Sequence, residues 1–262
     1  STSAIRLQCA LRALTGNLDI KGGEMFTGFN PGIRAESEIE MHEALSETQK
    51  AKQLGAEEFP VFTHRGMAPL AEATERVWGH RYANLISGCY MAHPLSVFRA
   101  MADGDPYPVK AFFALANNTH MSFANTQRIH AGLMNQDLIV AYEHALTPTA
   151  QLADYVLPGD AWLERPSIMA GISEQAMQPP GECKSFVYFW HALAKRMGLG
   201  HHFPWETAEE IFDYRLEPGN TSWAEIVSSG RLPKMQNDER KYLETGFATP
   251  SGKVELSSFV LD

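Results

Sequence analysis

The sequence predicts an α/β fold built on a doubly wound parallel sheet, with helical additions and an irregular N-terminal segment. Three apolar runs, at 109–116, 138–142 and 155–157, have the length and composition of strands buried on both faces. Helical patterns lie between them, at 123–134 and 149–153. Strands that alternate with helices in this way form βαβ units, whose right-handed crossovers give a parallel sheet. The predicted sheet is therefore Rossmann-like.

The length of 262 residues allows one or two domains, and local composition indicates where they divide. Residues 1–83 combine a helical pattern with a stretch dense in Gly and Pro, so we expect a loop-rich and helical segment that packs on the sheet domain. Residues 84–240 contain the strands and helices of the doubly wound α/β domain. Residues 241–262 include a turn that enters a strand, at 247–256.

Charge and hydropathy exclude two classes of partner. The chain has 22 Lys and Arg against 31 Asp and Glu, a net charge of −9 and no basic stripe, so we expect no nucleic-acid partner. Apolar runs are all shorter than the roughly 18 residues that a membrane helix needs. We therefore expect no membrane insertion.

The sequence assigns no catalytic and no metal-ligating residue. Cys9, Cys89 and Cys183 form no CxxC pair, which argues against a zinc ribbon, a thioredoxin motif or an iron–sulfur loop in this chain. None of the ten histidines is spaced as a metal site. A nucleophile elbow, a phosphate-binding P-loop and the dinucleotide-binding glycine fingerprint are all absent from the sequence.

A candidate binding site follows from the predicted topology. Parallel α/β sheets bind ligands at the carboxyl ends of their strands, which directs attention to the loops at 116–120, 143–148 and 158–165. Glu143 comes just after a buried strand, and its carboxylate can accept two parallel hydrogen bonds, such as those that guanine donates from N1 and its exocyclic amine. Thr147 can contribute a hydroxyl group to the same binding site. The alternative is an exposed Glu143 and a Thr147 that caps the following helix.

Two asparagines follow the first predicted strand. The side-chain amides of Asn117 and Asn118, together with open backbone N–H groups, suit a ribose or a phosphate. The alternative is a turn that merely tolerates Asn.

Four motifs resemble, in the right order, those of the molybdopterin oxidoreductases of the dimethyl sulfoxide reductase family. They are ALTGNLD with a following Gly-Gly at 13–23, YPVKA at 107–111, TPTAQLADYVLP with WLE at 147–164, and TPSGKVEL at 249–256. Enzymes of that family hold molybdenum or tungsten between two molybdopterin guanine dinucleotides. The resemblance implies that 84–240 is a cofactor-binding domain that takes the guanosine end of one of them.

The resemblance also implies roles for individual residues. Glu143 matches the family's guanine-contacting aspartate, although it is one methylene longer, and Thr147 matches its threonine. The family's G-x-N-P turn near the nucleotide falls on 116–119, where Ala replaces Gly and Thr replaces Pro. The cofactor-binding residues that the resemblance implies are Ala116, Asn117, Asn118, Thr119, Glu143, Thr147 and Asp154.

At the level of the whole enzyme, the resemblance implies an oxidoreductase that transfers oxygen atoms or electrons. The metal ligand and the 4Fe–4S cluster would lie outside this chain, which we expect to be a fragment that is inactive and free of cofactor by itself. Residues 241–262 would begin a truncated C-terminal β domain. The expected partners are the remaining domains of the same polypeptide and, in addition, electron-transfer subunits.

Two alternatives stand beside this interpretation. Residues 154–158 and 162–166 also resemble the branch of the family that contains the tungsten enzyme acetylene hydratase, which performs a hydration without net redox change. Separately, a fold does not fix a function, so a stand-alone α/β binding module without a pterin cofactor remains an alternative.

Overall fold

The computed structural model describes most of the chain, with gaps mainly before residue 91. The described residues are 2–25, 32–34, 39, 41, 44–60, 63–67, 69, 72, 91–168, 172–233, 239–247, 249 and 251–257. Within these ranges, every helix is too short or too polar to cross a membrane.

Three parallel strands form the centre of the fold. They are β1 (Ala111–Leu115), β2 (Leu138–Glu143) and β3 (Tyr155–Pro158), and they lie side by side in the order β1-β2-β3. Helix α5 (Thr126–Met134) connects β1 to β2, and a single 3₁₀ turn (Ala150–Leu152) connects β2 to β3. The predicted parallel sheet and all three of its strands are confirmed.

Helices cover both faces of this sheet. Helix α3 (Pro94–Asp103) packs with α5 on one face, where Phe112 of β1 joins their apolar cluster. On the other face lies α6 (Phe186–Arg196), whose Phe189 ring is centred 5.9 Å from that of Phe113. Because Phe112 and Phe113 are consecutive in a strand, they point to opposite faces. The predicted α/β fold with helices on both faces is thus confirmed.

The strands differ in burial from the prediction. The run at 109–116 predicts a strand buried on both faces, but only Ala114 of β1 is buried, whereas four of the six residues of β2 are. The reason is position, since β2 is flanked by a strand on each side, while β1 and β3 each have one strand neighbour among the described residues. An apolar run does not reveal whether its strand is central.

Further helices and a 3₁₀ turn of the described chain surround this core. They are α1 (Thr2–Leu14), α2 (Glu47–Ala51), α4 (Thr119–Ser122), α7 (Ala208–Leu216), α8 (Trp223–Ser229), α9 (Tyr242–Thr245) and a 3₁₀ turn at Trp162–Glu164. Helices α7 and α8 build a second apolar cluster around Ile168, Leu216 and Ile226.

The two ends of the chain agree in part with the sequence analysis. Helix α1 is present, and Gly16 follows it with the left-handed φ of +70° that ends a helix. Near the other end, Phe247 N–H donates to the Gly252 carbonyl (3.0 Å), so the expected turn forms. The strand expected to follow it is not formed among residues 251–257, because a strand needs a partner strand. The domain boundaries at 83 and 240 stay predictions.

Candidate functional site

The carboxyl ends of the three strands meet at one edge of the sheet. Leu115 pairs in register with Tyr142, and Glu143 pairs with Pro158. The loops that follow the strands continue this pairing, because Ala116 N–H donates to the Tyr142 carbonyl (2.8 Å). Neighbouring strands lie about 4.8 Å apart, so the loops after β1 and β2 are close neighbours.

Ala116 turns the chain sharply at the end of β1. Its φ of +48° lies in the left-handed region, which costs a residue with a side chain about 1–2 kcal/mol. Gly adopts this conformation without strain, which explains why the resembled motif has Gly here. Strain of this kind is often found at binding sites, where it fixes the direction of a loop.

Asn118 is held by the loop after β2. Its Oδ1 accepts a hydrogen bond from the hydroxyl of the buried Thr149 (2.9 Å), and the same hydroxyl oxygen accepts from the His120 N–H (2.9 Å). Because Oδ1 is engaged, the Asn118 amide N–H group is the end that remains to donate. The two loops are therefore fixed to each other through side chains.

Asn117 and Thr119 have different roles in the turn. Thr119 is buried, and its hydroxyl donates to Asn117 Oδ1 (3.2 Å), so Thr119 shapes the turn from inside. The backbone N–H groups of Asn117 and Asn118 make no hydrogen bond within the described part of the chain. They are open donors at the sheet edge, as the sequence predicts.

Glu143 and Thr147 frame the loop after β2. Glu143 is half-buried, and its carboxylate has no hydrogen-bond partner among the residues that the structure describes. Thr147 Oγ1 accepts from the Ala150 N–H (3.2 Å), so it fixes the turn that leads into the 3₁₀ turn, although the N-cap residue there is Thr149. This contact uses the hydroxyl as an acceptor, so its proton is still available to a ligand.

Asp154 lies apart from the other predicted site residues. It stands just before β3, at the amino end of the sheet, whereas the other residues lie at the carboxyl end. Its Oδ2 accepts from the Ile139 N–H (2.7 Å), and its own N–H donates to the Ile139 carbonyl (2.9 Å). Asp154 thus fixes the start of β3 against β2.

A buried polar cluster beside this edge was missed by the sequence analysis. The Tyr142 hydroxyl donates to Asp160 Oδ1 (2.6 Å) and accepts from the Asp160 N–H (3.0 Å). Arg165 Nη1 donates to the same Oδ1 (2.8 Å), and His144 Nε2 lies 2.8 Å from the Asp160 carbonyl oxygen. The only sequence signal was the location of Asp160, in a loop that follows a predicted strand.

Burial sets the electrostatics of this cluster. Desolvation, reinforced by the hydrogen bond to Asp160, raises the pKa of Tyr142 to about 12. Tyr142 therefore stays a neutral hydrogen-bond donor at physiological pH. The described residues contain no group of three or more His, Cys, Asp or Glu side chains placed to hold a metal ion.

Comparisons with known proteins place the chain among its relatives. Residues 4–196 match the family of molybdopterin oxidoreductases. The chain is 47% identical to acetylene hydratase of Syntrophotalea acetylenica, across all of this chain and 37% of that protein. It is 25% identical to the thiosulfate reductase molybdopterin-containing subunit of Salmonella typhimurium, across 60% of this chain and 25% of that protein.

A solved structure agrees with these relatives. The acetylene hydratase of Pelobacter acetylenicus superposes with a TM-score of 0.80 at 46% identity, covering 98% of this chain and 36% of that one. The chain thus spans little more than a third of the length of these two acetylene hydratases. Both its sequence and its fold show that it belongs to the molybdopterin oxidoreductases of the dimethyl sulfoxide reductase family, whose cofactor is a molybdopterin with molybdenum or tungsten.

Proposed function

We propose that this chain binds the guanosine end of a molybdopterin guanine dinucleotide at the edge formed by the loops after β1 and β2. The observation that carries this proposal is the half-buried Glu143 carboxylate, which lies at a strand end without a partner in the described structure. Guanine donates two parallel hydrogen bonds, from N1 and the 2-amino group, and a carboxylate accepts both as charge-assisted bonds.

The remaining polar groups at this edge fit the same ligand. The Thr147 hydroxyl proton and the Asn118 amide are donors, and the guanine nucleotide has acceptors on its base, its ribose and its phosphates. The open N–H groups of Asn117 and Asn118 add two donors beside them. When bound, the cofactor supplies the metal at which the family's reactions take place, while these residues only bind and orient its nucleotide.

Nucleotide selectivity tests the role of Glu143. We would titrate the chain with GDP, IDP and ADP and follow binding by NMR chemical-shift changes. IDP lacks only the 2-amino group, so it loses one hydrogen bond to a charged acceptor, and we expect GDP to bind about tenfold more tightly. Adenine has an acceptor at N1 that repels a carboxylate, so we expect ADP to bind more weakly still.

Substitutions separate base recognition from general binding. Glu143→Gln replaces one acceptor by a donor, so we expect it to abolish the preference for GDP over IDP, while Glu143→Asp retains a carboxylate and keeps part of it. The matched control is Glu182→Gln, at an exposed position outside the edge. Equal affinity of the unmodified chain for GDP and IDP would overturn the proposal and favour a binding module without a pterin cofactor.

The reaction of the whole protein is a further part of the proposal. Most of the family are oxidoreductases, but 47% identity across the whole chain favours the hydratase alternative. We propose that the protein containing this chain adds water across the triple bond of acetylene, which yields acetaldehyde after tautomerisation and consumes no electrons. Acetaldehyde formation without an added electron acceptor tests this, whereas activity that requires an electron acceptor or a donor would favour an oxidoreductase.

The organisation of the whole protein also remains a proposal. This chain spans 37% of its acetylene hydratase relative, which supports the expectation that it works with further domains of the same polypeptide. Those domains would supply the metal ligand and the 4Fe–4S cluster. Iron and sulfide analysis of the purified whole protein, compared with this chain alone, tests the location of the cluster.

A further inference from the structure

Asp160 is almost fully buried, at 1% exposure, yet one of its carboxylate oxygens has no hydrogen-bond partner in the described part of the chain. Oδ1 accepts from Tyr142 and Arg165, while Oδ2 is buried and accepts no hydrogen bond from any residue that the structure describes. A buried carboxylate oxygen without a donor is costly for stability. Stability alone therefore does not explain an aspartate at this position.

These contacts lead to the three residues around the proposed guanine ligand. Tyr142, the residue before Glu143, donates its hydroxyl proton to Asp160 Oδ1. His144, the residue after Glu143, bonds through Nε2 to the Asp160 carbonyl oxygen. The Glu143 carbonyl itself accepts from the Gly159 N–H (3.1 Å). Residues 142, 143 and 144 are thus all held by the pair 159–160.

The surrounding packing makes this attachment rigid. A Cβ atom on Gly159 would lie 2.8 Å from Tyr142 Cε1, so the backbone after β3 lies directly against the Tyr142 ring. The Tyr142 hydroxyl also lies 2.9 Å from the Lys184 carbonyl oxygen, at the start of α6. Arg165 closes the cluster from outside, with its guanidinium 5.7 Å from the centre of the Phe186 ring.

We propose that Asp160 is a positioning residue that fixes the Glu143 carboxylate in the orientation needed to read guanine. This inference rests on the proposed function, because Asp160 has no contact with the nucleotide and acts only through Glu143. Asp160 acts through the side chains of Tyr142 and His144, the two residues that flank Glu143. A side chain with several rotatable bonds, such as Glu, gains selectivity only when its backbone is fixed.

The preference for GDP over IDP measures this role more directly than stability does. We expect about tenfold preference in the unmodified chain and less than about twofold in Asp160→Ala, because a misplaced carboxylate loses the second hydrogen bond. Asp160→Asn retains an acceptor for Tyr142, so we expect it to restore most of the preference. In a Glu143→Gln background, Asp160→Ala should have no further effect on the ratio, because the two residues act as one unit.

Amide hydrogen exchange without nucleotide separates the two proposals. We expect Asp160→Ala to speed exchange of the Gly159 N–H, which donates to Glu143, and to leave the Leu133 N–H in α5 unchanged. An unchanged GDP preference in folded Asp160→Ala would overturn the positioning role and leave the guanine site standing. If the unmodified chain shows no preference, both functional roles fail, and Gly159 exchange then reports only whether Asp160 holds the loop.

Discussion

Asp19 and Lys241, which are 222 positions apart in the sequence, form an ion pair that joins the loop after α1 to the segment before α9. Lys241 Nζ lies 2.6 Å from Asp19 Oδ1, and the Lys241 N–H donates to Oδ2 (2.9 Å). Asp19 is fully buried, and these two donors help to compensate its charge. The loop belongs to the LTGNLD motif, so part of that motif has a structural role.

Loss of the lysine should remove the ammonium group that donates to the buried Asp19 carboxylate. We expect Lys241→Met to lower the free energy of unfolding by about 2 kcal/mol, measured by urea denaturation, because a hydrogen bond to a charged group is lost at a buried carboxylate. Lys253→Met, at an exposed position, is the control and should change stability by less than about 0.5 kcal/mol. Equal effects of the two substitutions would show that the pair contributes nothing.

The cluster between α3, α5 and β2 gives a second prediction. Leu133 is fully buried in it, while the next residue, Met134, is 60% exposed. We expect Leu133→Ala to lower the free energy of unfolding by about 3 kcal/mol, through lost burial and a residual cavity. Met134→Ala on the same helix should cost less than about 0.5 kcal/mol, measured by the same denaturation. A reversed order would contradict the observed orientation of α5.

The sequence predicted the sheet well because local signals define it. The apolar run at 138–142 ends at polar residues, and β2 covers 138–143. Burial of β1 was overestimated, because burial depends on neighbouring strands that no short run encodes. The edge of the sheet could be predicted for the same reason as the strands, since parallel topology places Asn118 and Glu143 at one edge.

The contacts that complete the site could not be predicted in this way. Asp160 is an ordinary polar loop residue in the sequence, and only the folded chain brings it to Tyr142 and Arg165. Asp154 shows the opposite case, because motif resemblance grouped it with the site while its backbone contacts lie at the other edge. Thr147 uses its hydroxyl oxygen as an acceptor within its own loop, and its contact with a ligand stays a prediction.

His191 should make stability depend on pH in the acid range. Burial lowers the pKa of His191, and the nearby Lys195 ammonium adds to this effect, while Glu206 opposes it. The folded chain favours the neutral imidazole of His191. The stability that depends on this neutral form is present above the unfolded pKa of about 6.5 and is lost as the pH falls. We expect stability to decrease below about pH 6.5 and His191→Gln to reduce that slope.

Urea denaturation between pH 7.5 and pH 5 measures this slope. His201→Gln is the matched control, because His201 is exposed. If His191→Gln leaves the slope unchanged, protonation of His191 is not coupled to unfolding in this pH range.

Tyr142 should give the opposite dependence at alkaline pH. Its pKa is raised to about 12, so the folded chain favours the neutral phenol, and the resulting stability is present below the unfolded pKa of 10.0 and lost as the pH rises towards 12. We expect Tyr142→Phe to be less stable at pH 7, because Asp160 loses a hydrogen-bond donor. It should also lose less stability than the unmodified chain between pH 9.5 and pH 11. Tyr155→Phe, at an exposed position, is the control and should lose as much stability at alkaline pH as the unmodified chain. An equally steep loss of stability in Tyr142→Phe would show that other groups cause it.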